Sequence, residues 1–214
     1  MSADILAGLP ARRGHFLLES GYHTDLWLTL DELFSDPATL APLVGVLADR
    51  LRPHGALAVC GPLLGGAFLA QAISTTLGAR FYYTEPVPAP PGDALFTAEY
   101  RLPPALRRPV HGQTVAVVDD VISAGSSVRA TVAALAAAGA TTVVLGALAV
   151  LGEQALNHFA QQGVPVETLQ RRSFDLWTPV DCPLCQSGQP LEDPRETDRS
   201  GTPTVQSRVH TGPS

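Results

Sequence analysis

The stretch VAVVDDVISAGSSVRA, residues 115–130, carries the strongest structural signal in this sequence. Four apolar residues lead directly into Asp119 and Asp120, and a loop of small residues follows before a segment with helical spacing of apolar residues. An uninterrupted apolar run is typical of a strand that is buried on both faces of a parallel sheet. The stretch therefore predicts a strand, a loop and a helix, with paired carboxylates where the strand ends.

The loop after this strand has the composition of a phosphate cradle. Small side chains let backbone N–H groups approach an anion closely, and the N-terminal dipole of the following helix adds positive potential. The Gly-Lys-Ser/Thr pattern of a P-loop is not present. The residues expected to hold the phosphate are Ser123, Ala124, Gly125, Ser126 and Ser127.

Asp119 and Asp120 need a second explanation, because carboxylates repel a phosphate. They fit a ligand that also carries hydroxyl groups, and a sugar phosphate supplies both. One carboxylate could also stabilise positive charge that develops on the sugar ring. A metal-binding pair and a helix-capping cluster are the alternative interpretations.

Strands and helices alternate through the middle of the chain. This order, with uninterrupted apolar strands, predicts an α/β fold whose central, mainly parallel sheet has helices on both faces. Ligands bind such sheets at the carboxyl ends of the strands, where the glycine-rich turn after Cys60 and the loop after Asp120 would meet. The expected strands are 15–20, 26–30, 56–60, 79–85, 95–102, 114–120, 141–151 and 164–172, and the expected helices are 35–51, 67–77, 126–138 and 152–163.

Composition excludes several classes of protein. The 214 residues are 45% hydrophobic and carry a net charge of −6, which fits a packed globular protein and argues against a general nucleic-acid binder. No run of 18 apolar residues is present, so no membrane span is expected, and a signal-peptide pattern is also lacking. We therefore expect a cytoplasmic protein. All fourteen basic residues are arginine, so no lysine can serve in catalysis.

Three segments resemble one enzyme family. VAVVDDVISAGSSVRA resembles the ribose-5-phosphate motif of type I phosphoribosyltransferases. GHFLLESGYHTDLWL (14–28) resembles the N-terminal element of orotate phosphoribosyltransferases, and CGPLLGGAFLAQAI (60–73) resembles their pyrophosphate loop and the helix after it. The resemblance implies that 5-phosphoribosyl-1-diphosphate and a base, with orotate expected, react with Mg²⁺ to give a nucleotide and pyrophosphate in pyrimidine biosynthesis.

The resemblance also implies an organisation for the chain. It implies one domain over 1–189, with a small hood from 1–34 and a mobile loop at about 85–111, and it suggests a homodimer. The segment 190–214 is rich in Pro, Ser, Thr and charge, and we expect it to be disordered.

By the same resemblance, Asp119 and Asp120 would hold the ribose hydroxyls and act in catalysis, while residues 123–127 would hold the 5-phosphate. Magnesium would be carried mostly by ligand oxygens and waters. His23 falls where the family has a lysine, and Trp27 is either a core residue or a platform for the base. The residues that would admit the pyrophosphate are Gly61, Pro62, Gly65 and Gly66.

The sequence departs from the family in its basic residues. The hood loop lacks lysines, and its cations are Arg101, Arg107 and Arg108, which could instead be solvated surface. Residues 151–153 read Leu-Gly-Glu where the family has the arginine for the orotate carboxylate. A non-catalytic protein that binds the diphosphate donor, or regulates through it, is therefore the alternative. A different nucleotide-binding α/β domain is a weaker one.

The cysteines have separate interpretations. Cys60 lies in an apolar run and is expected to be a buried thiol. Cys182 and Cys185 form half of a tetrahedral zinc site, but no second Cys or His pair is expected to complete it, so no protein-held metal is predicted. A metal shared across a dimer and a redox pair stay open. His111 and Gly112, before the strand at Thr114, predict a turn.

Overall fold

The structure is a computed structural model that describes residues 11–18, 20–28, 30–87 and 99–194. The strands are β1 (Ala11–Leu17), β2 (His23–Leu28), β3 (Ala58–Pro62), β4 (Arg80–Pro86), β5 (Tyr100–Arg101), β6 (Thr114–Ile122), β7 (Thr141–Leu151), β8 (Val166–Arg172) and β9 (Leu176–Trp177). The helices are α1 (Asp31–Ser35), α2 (Pro37–Leu51), α3 (Gly65–Leu77), α4 (Pro104–Val110), α5 (Ser126–Ala137), α6 (Gln154–Gln161) and α7 (Pro183–Gln186), and a 3₁₀ turn (Arg52–His54) follows α2.

The main sheet has six strands in the order β5-β4-β3-β6-β7-β8. All neighbouring pairs are parallel except β4 with β5. The expected mainly parallel α/β sheet is therefore confirmed. Strand β4 lies on one side of β3, and β6 lies on the other side. The chain therefore adds strands in opposite directions from the boundary between β3 and β6. A crevice opens at such a reversal, beyond the carboxyl ends of the strands.

Helices cover both faces of this sheet, as the apolar strands predict. Along β6, Ala116 and Val118 face the cluster that contains α2 and α3, while Val115 and Val117 face the cluster that contains α4, α5 and α6. Full burial of one such valine contributes about 1.5–3 kcal/mol. Cys60 is a buried thiol in the second cluster, as expected, and burial raises its pKa. No helix in the described ranges is long and apolar enough to cross a membrane.

A second, smaller sheet has the order β1-β2-β9. Strands β1 and β2 form an antiparallel hairpin, and β9 pairs with β2 through His23 and Trp177. The sequence predicted the hairpin but not β9, which comes from the opposite end of the chain. Residues 1–10 of the expected hood lie outside the described residues.

The segment expected to be disordered, 190–214, begins with residues that are ordered against β1. The N–H of Glu192 donates to the His15 carbonyl at 2.8 Å, and the Glu192 carboxylate pairs with Arg12 at 2.9 Å. The expectation is therefore wrong for these first residues, because the backbone there bonds to a strand. Residues 195–214 lie outside the described residues.

The expected mobile loop, about 85–111, contains a helix near its end. Helix α4 starts at Pro104, where the missing N–H is tolerated. Val110 is fully buried, and the Tyr82 hydroxyl donates to the Pro109 carbonyl at 2.9 Å, which fixes the helix against β4. Residues 88–98 lie outside the described residues, as does the first half of the strand expected at 95–102, and the second half contains β5. The turn at 111–112 is confirmed.

Candidate active site

A cleft of about 250 Å³ lies at the carboxyl ends of β3 and β6. Its walls come from the β1–β2 hairpin, the loop after β3, and the end of β6 with the loop that leads into α5. The lining residues are Leu18, Ser20, Leu26, Trp27, Leu28, Pro62, Leu63, Leu64, Gly65, Tyr100, Asp119, Asp120, Val121, Ser123, Gly125, Ser126, Ser127 and Leu151.

The two aspartates at the end of β6 have different environments. Asp119 is buried, with 7% of its surface exposed, whereas Asp120 is only partly buried. The Asp119 carboxylate accepts a hydrogen bond from Ser127 Oγ at 2.8 Å and from the Asp120 N–H at 3.1 Å. Burial, and next the charge of Asp120, raise the pKa of Asp119 well above its ordinary value. Asp120 is therefore the more accessible carboxylate of the pair.

The loop between β6 and α5 presents backbone donors to the cleft. Gly125 precedes α5 with a φ of +78°, a left-handed conformation that favours glycine, and no side chain caps the helix. The first N–H groups of α5 are thus left for another acceptor. Ser123, Ser126 and Ser127 line the cleft beside Gly125, whereas Ala124 is buried behind the loop.

The glycine-rich turn after β3 packs directly against the two acids. A Cβ on Gly65 would lie 2.4 Å from Asp120 Oδ2, and one on Gly66 would lie 2.7 Å from Asp119 Oδ1. A Cβ on Gly61 would lie 2.0 Å from the Gly66 carbonyl oxygen. Gly65 and Pro62 line the cleft, while Gly61 and Gly66 are buried beneath it. The Leu63–Leu64 peptide bond in this turn is cis.

Two lining residues suggest where an organic ligand would contact the hairpin. Trp27 lines the cleft on the hairpin side, and so does Ser20. Ser20 is buried, and its Oγ has no hydrogen-bond partner among the described residues. A buried hydroxyl without a partner costs about 1–3 kcal/mol, so a ligand group that bonds to it would be favoured.

The structure does not bring His23 and Arg101 into the cleft. His23 Nδ1 lies 3.1 Å from His15 Nε2 and 3.3 Å from Cys185 Sγ. Burial, and next the charge of His15, lower the pKa of His23, so it is a poor cation. Arg101 is exposed, and its Nε lies 3.7 Å from Glu85 Oε2. Among the described residues, the cleft lining contains no basic side chain.

The expectation that no second pair accompanies Cys182 and Cys185 is wrong. Strands β1 and β2 bring His15 and His23 beside the two thiols. In the sequence, His23 falls where the family has a lysine, and no local pattern singles out His15. The available signal was two histidines eight residues apart in a hairpin, together with a Cys-x-x-Cys pair, but their meeting depends on contacts across more than 160 residues.

The two carboxylates and nearby hydroxyls fit a magnesium ion, because Mg²⁺ prefers oxygen ligands. They would hold it together with waters and ligand oxygens. The same carboxylates, beside uncapped N–H groups, also suit a sugar phosphate. The N-cap residue of α5 is Gly125, so neither aspartate occupies the position that the capping alternative requires.

The chain is similar to known phosphoribosyltransferases. A family described as "Phosphoribosyl transferase domain" matches residues 32–174. The orotate phosphoribosyltransferase of Desulforamulus reducens is 30% identical over 181 residues, with 85% of this chain and 87% of that protein covered. The orotate phosphoribosyltransferase of Thermotoga petrophila is 32% identical over 185 residues, with 85% and 89% covered.

Solved structures agree in fold. Orotate phosphoribosyltransferase from Aeropyrum pernix superposes with a TM-score of 0.61 at 24% identity, with 80% of this chain and 93% of that chain covered. Adenine phosphoribosyltransferase from Rhodothermus marinus gives a TM-score of 0.61 at 18% identity, with 79% and 99% covered. The family match spans most of the chain and the sequence relatives reach 30% identity or more, so the protein belongs to the phosphoribosyltransferase family.

Proposed function

We propose that this protein transfers ribose 5-phosphate from 5-phosphoribosyl-1-diphosphate to orotate and releases pyrophosphate. The observation that carries the proposal is one cleft in which the Asp119–Asp120 pair, the N-terminus of α5 and the glycine turn after β3 meet. Orotate is proposed because the sequence relatives are named orotate phosphoribosyltransferases. Pyrimidine nucleotide biosynthesis is the corresponding pathway.

Each part of the donor has a matching part of the cleft. The 5-phosphate would accept hydrogen bonds from the first N–H groups of α5 and from the hydroxyls of Ser123 and Ser126. The ribose hydroxyls would donate to Asp120, the more accessible acid. The diphosphate would lie along the turn that contains Gly65, where the absence of a side chain leaves the backbone open.

The reaction itself demands charge stabilisation. The bond from the ribose C1 to pyrophosphate breaks, a bond to a nitrogen of the base forms, and positive charge develops on the sugar between these events. A carboxylate fixed near the ring lowers the energy of that charge. Asp120 would have this role, while Asp119 and Ser127 hold the end of β6 and the start of α5 together.

Magnesium is part of the proposal because the described cleft lining lacks basic side chains. When bound, Mg²⁺ supplies charge neutralisation for the diphosphate. Asp119 and Asp120 would retain it through waters. A homodimer, in which the arginines near Arg101 reach the cleft of the other subunit, and a cytoplasmic location also remain predictions.

The base would occupy the hairpin side of the cleft. Trp27 offers an aromatic surface there, and Ser20 offers the hydroxyl that has no partner among the described residues. A base with several carbonyl and N–H groups could bond to that hydroxyl. Ser20→Ala is therefore expected to raise the KM for the base more than the KM for the donor.

A base panel tests the proposal. The protein is incubated with the diphosphate donor, Mg²⁺ and, separately, orotate, uracil, adenine, guanine and hypoxanthine, and pyrophosphate release is measured. We expect release with orotate. Asp120→Asn should lower kcat by about 10²–10³-fold, because it removes one charge-stabilising group. Absence of pyrophosphate release with every base would contradict the proposal.

A non-catalytic donor-binding or regulatory protein is the second candidate. It is favoured by the lack of basic residues in the described cleft lining and by Leu151-Gly152-Glu153, where an arginine for a carboxylate would be expected. It predicts that calorimetry detects donor binding with Mg²⁺, that Gly125→Val abolishes it, and that no base supports turnover. A different nucleotide-binding domain would show no preference for phosphoribosyl compounds.

A further inference from the structure

Four metal-ligating side chains converge outside the cleft. His15 and His23 come from the hairpin β1–β2, and Cys182 and Cys185 flank the start of α7. One ligand atom from each residue lies within 4.8 Å of all the others. His15, His23 and Cys182 are buried, and Cys185 lies at the surface, where an ion could enter.

The distances match the edges of a tetrahedron. His15 Nε2 lies 3.4 Å from Cys182 Sγ and 3.7 Å from Cys185 Sγ, and His23 Nδ1 lies 3.3 Å from Cys185 Sγ. The two ring nitrogens are 3.1 Å apart. A tetrahedral zinc ion with bonds of about 2.0–2.3 Å separates its ligand atoms by roughly 3.3–3.8 Å. Three of these four distances lie in that range, the distance between the two nitrogens is slightly shorter, and the remaining two pairs of ligand atoms lie within 4.8 Å, so small side-chain movements would complete the site.

The hydrogen bonding around His15 favours the same conclusion. His15 Nδ1 lies 2.8 Å from the Gln189 carbonyl oxygen, which can only accept, so Nδ1 carries the proton. In the neutral ring Nε2 then has a free lone pair, and it points towards both thiols and His23. A metal-binding histidine characteristically donates its other N–H to such a carbonyl.

We propose that His15, His23, Cys182 and Cys185 bind one structural zinc ion. Two sulfurs and two imidazole nitrogens are a donor set that zinc prefers. Binding releases the two thiol protons to solvent, and two thiolates with Zn²⁺ make a site of zero net charge. A neutral site is compatible with the burial of three of its four ligands.

The ion would tie the two ends of the described chain together. His15 and His23 belong to the hairpin whose other residues, including Trp27, line the cleft, whereas Cys182 and Cys185 lie about 160 residues later. The β2–β9 pairing at this junction is short, with two residue pairs. Zinc would therefore hold the hairpin in place over the cleft. All four ligands come from one chain, so a metal shared across a dimer is not needed.

Metal content tests the proposal without reference to catalysis. The protein, produced with zinc in the medium and dialysed, should contain about one Zn²⁺ per chain by elemental analysis, whereas Cys185→Ala should contain about tenfold less after the same dialysis. Cys185 is at the surface, so its replacement should leave the fold intact. Matched controls are Cys60→Ala and His54→Ala, which replace residues outside the cluster and should keep the full zinc content.

Cobalt gives a second readout that depends on geometry. Co²⁺ added to the metal-free protein should show the intense visible bands of a tetrahedral site and a thiolate-to-cobalt charge-transfer band, and Cys185→Ala should lose both because it no longer retains the ion. Removal of zinc should lower the Tm of the wild type but not that of Cys185→Ala. Wild-type protein without zinc and without tetrahedral cobalt bands would overturn the proposal. So would a Cys182–Cys185 disulfide in protein handled anaerobically, or zinc that persists in Cys185→Ala.

Discussion

Asp119 is held inside the protein although its ionised form is disfavoured there. Burial and the adjacent Asp120 raise its pKa, and the hydrogen bond from Ser127 only partly offsets these effects. The folded pKa lies above the unfolded pKa, so ionisation destabilises the fold. This destabilisation is absent below the unfolded pKa and develops as the pH rises through the folded pKa. Carboxyl groups whose surroundings raise the pKa strongly are typical of functional sites, which supports a functional role for Asp119.

Asp119→Asn should therefore raise the Tm at about pH 8, with a gain that shrinks as the pH falls towards about 3, below the unfolded pKa, where Asp119 is neutral in both the folded and the unfolded state. The amide can still accept from the Asp120 N–H and donate to Ser127 Oγ. Each kcal/mol gained corresponds to about 2–4 °C in a protein of this size. Differential scanning calorimetry at several pH values makes the measurement. The exposed Asp49→Asn is the control, and a lower Tm for Asp119→Asn at every pH would contradict the argument.

Glycine 65 supports a prediction about donor binding. A Cβ at this position would meet the Asp120 carboxylate at 2.4 Å, so Gly65→Ala should displace that side chain. The affinity for the diphosphate donor with Mg²⁺ should fall at least ~10-fold, about 1.4 kcal/mol, as measured by calorimetry.

Gly45 is the matched control for that change. It lies inside α2, and a Cβ there would meet nothing within 4 Å. Gly45→Ala should raise stability by about 0.5–1 kcal/mol and leave donor affinity unchanged. Equal affinities for the two alanine variants would show that Gly65 is not close to the donor.

At the scale of elements, one buried pair of hydroxyls connects β4 to α5. Thr84 Oγ1 and Thr131 Oγ1 lie 2.7 Å apart, and both residues are fully buried. Because α5 carries the proposed phosphate-binding N-terminus, this contact helps to set the position of the loop relative to the sheet. Neither residue is part of an apolar pattern, and the sequence did not indicate that they would meet.

Thr131→Val should destabilise the protein by about 1–3 kcal/mol, because it leaves the Thr84 hydroxyl buried without this partner. Thr84→Val alone should have a similar effect. The double variant should lose less than the sum of the two single losses, since both hydroxyls are then gone. Urea denaturation of all four proteins measures this coupling. Additive losses would mean that the two hydroxyls do not interact.

At the scale of the whole molecule, charge is the main constraint on binding. The chain has a net charge of −6 and no lysine, and the described cleft lining contains two carboxylates but no basic side chain. A diphosphate donor carries several negative charges of its own. Backbone N–H groups and hydroxyls stabilise an anion only in part, so we expect a divalent cation to neutralise much of this charge.

Donor affinity should therefore depend strongly on Mg²⁺. Replacement of Mg²⁺ by Na⁺ at equal ionic strength should weaken donor binding by about 10²-fold or more, because screening by a monovalent salt cannot substitute for an ion held between carboxylates and phosphates. Calorimetry provides the measurement, and Mg²⁺ titrated without donor is the control. Undiminished affinity without divalent cations would point to basic groups outside the described cleft lining.

Much of the central sheet followed from the sequence by itself. The apolar runs of β3, β6 and β7 predict buried parallel strands because a strand covered by helices on both faces buries nearly all of its side chains. The small residues after Asp120 predict an anion-binding loop because only small side chains leave backbone N–H groups accessible. Both this loop and the Gly61–Gly66 turn follow the carboxyl ends of parallel strands, so the sequence predicts that they lie side by side. The structure confirms this placement.

The sequence pattern does not predict helix α4 or strand β9. Helix α4 contains two prolines, and local propensity therefore predicts no helix there. The helix is stabilised by the burial of Val110 and by the hydrogen bond from the Tyr82 hydroxyl to the Pro109 carbonyl. Strand β9 has two residues, too few for a periodic pattern, and exists because β2 offers its free edge. Both depend on partners that are distant in sequence.

The cluster of His15, His23, Cys182 and Cys185 shows most clearly which properties are local to the sequence and which depend on the folded chain. The sequence determined which residue types could ligate a metal, since that is a property of each side chain. That they meet depends on the tertiary structure, because His15 and Cys182 are 167 positions apart in the sequence. The physical reason is that local periodicity specifies which face of an element is buried, whereas the packing of the whole chain selects what that face is buried against.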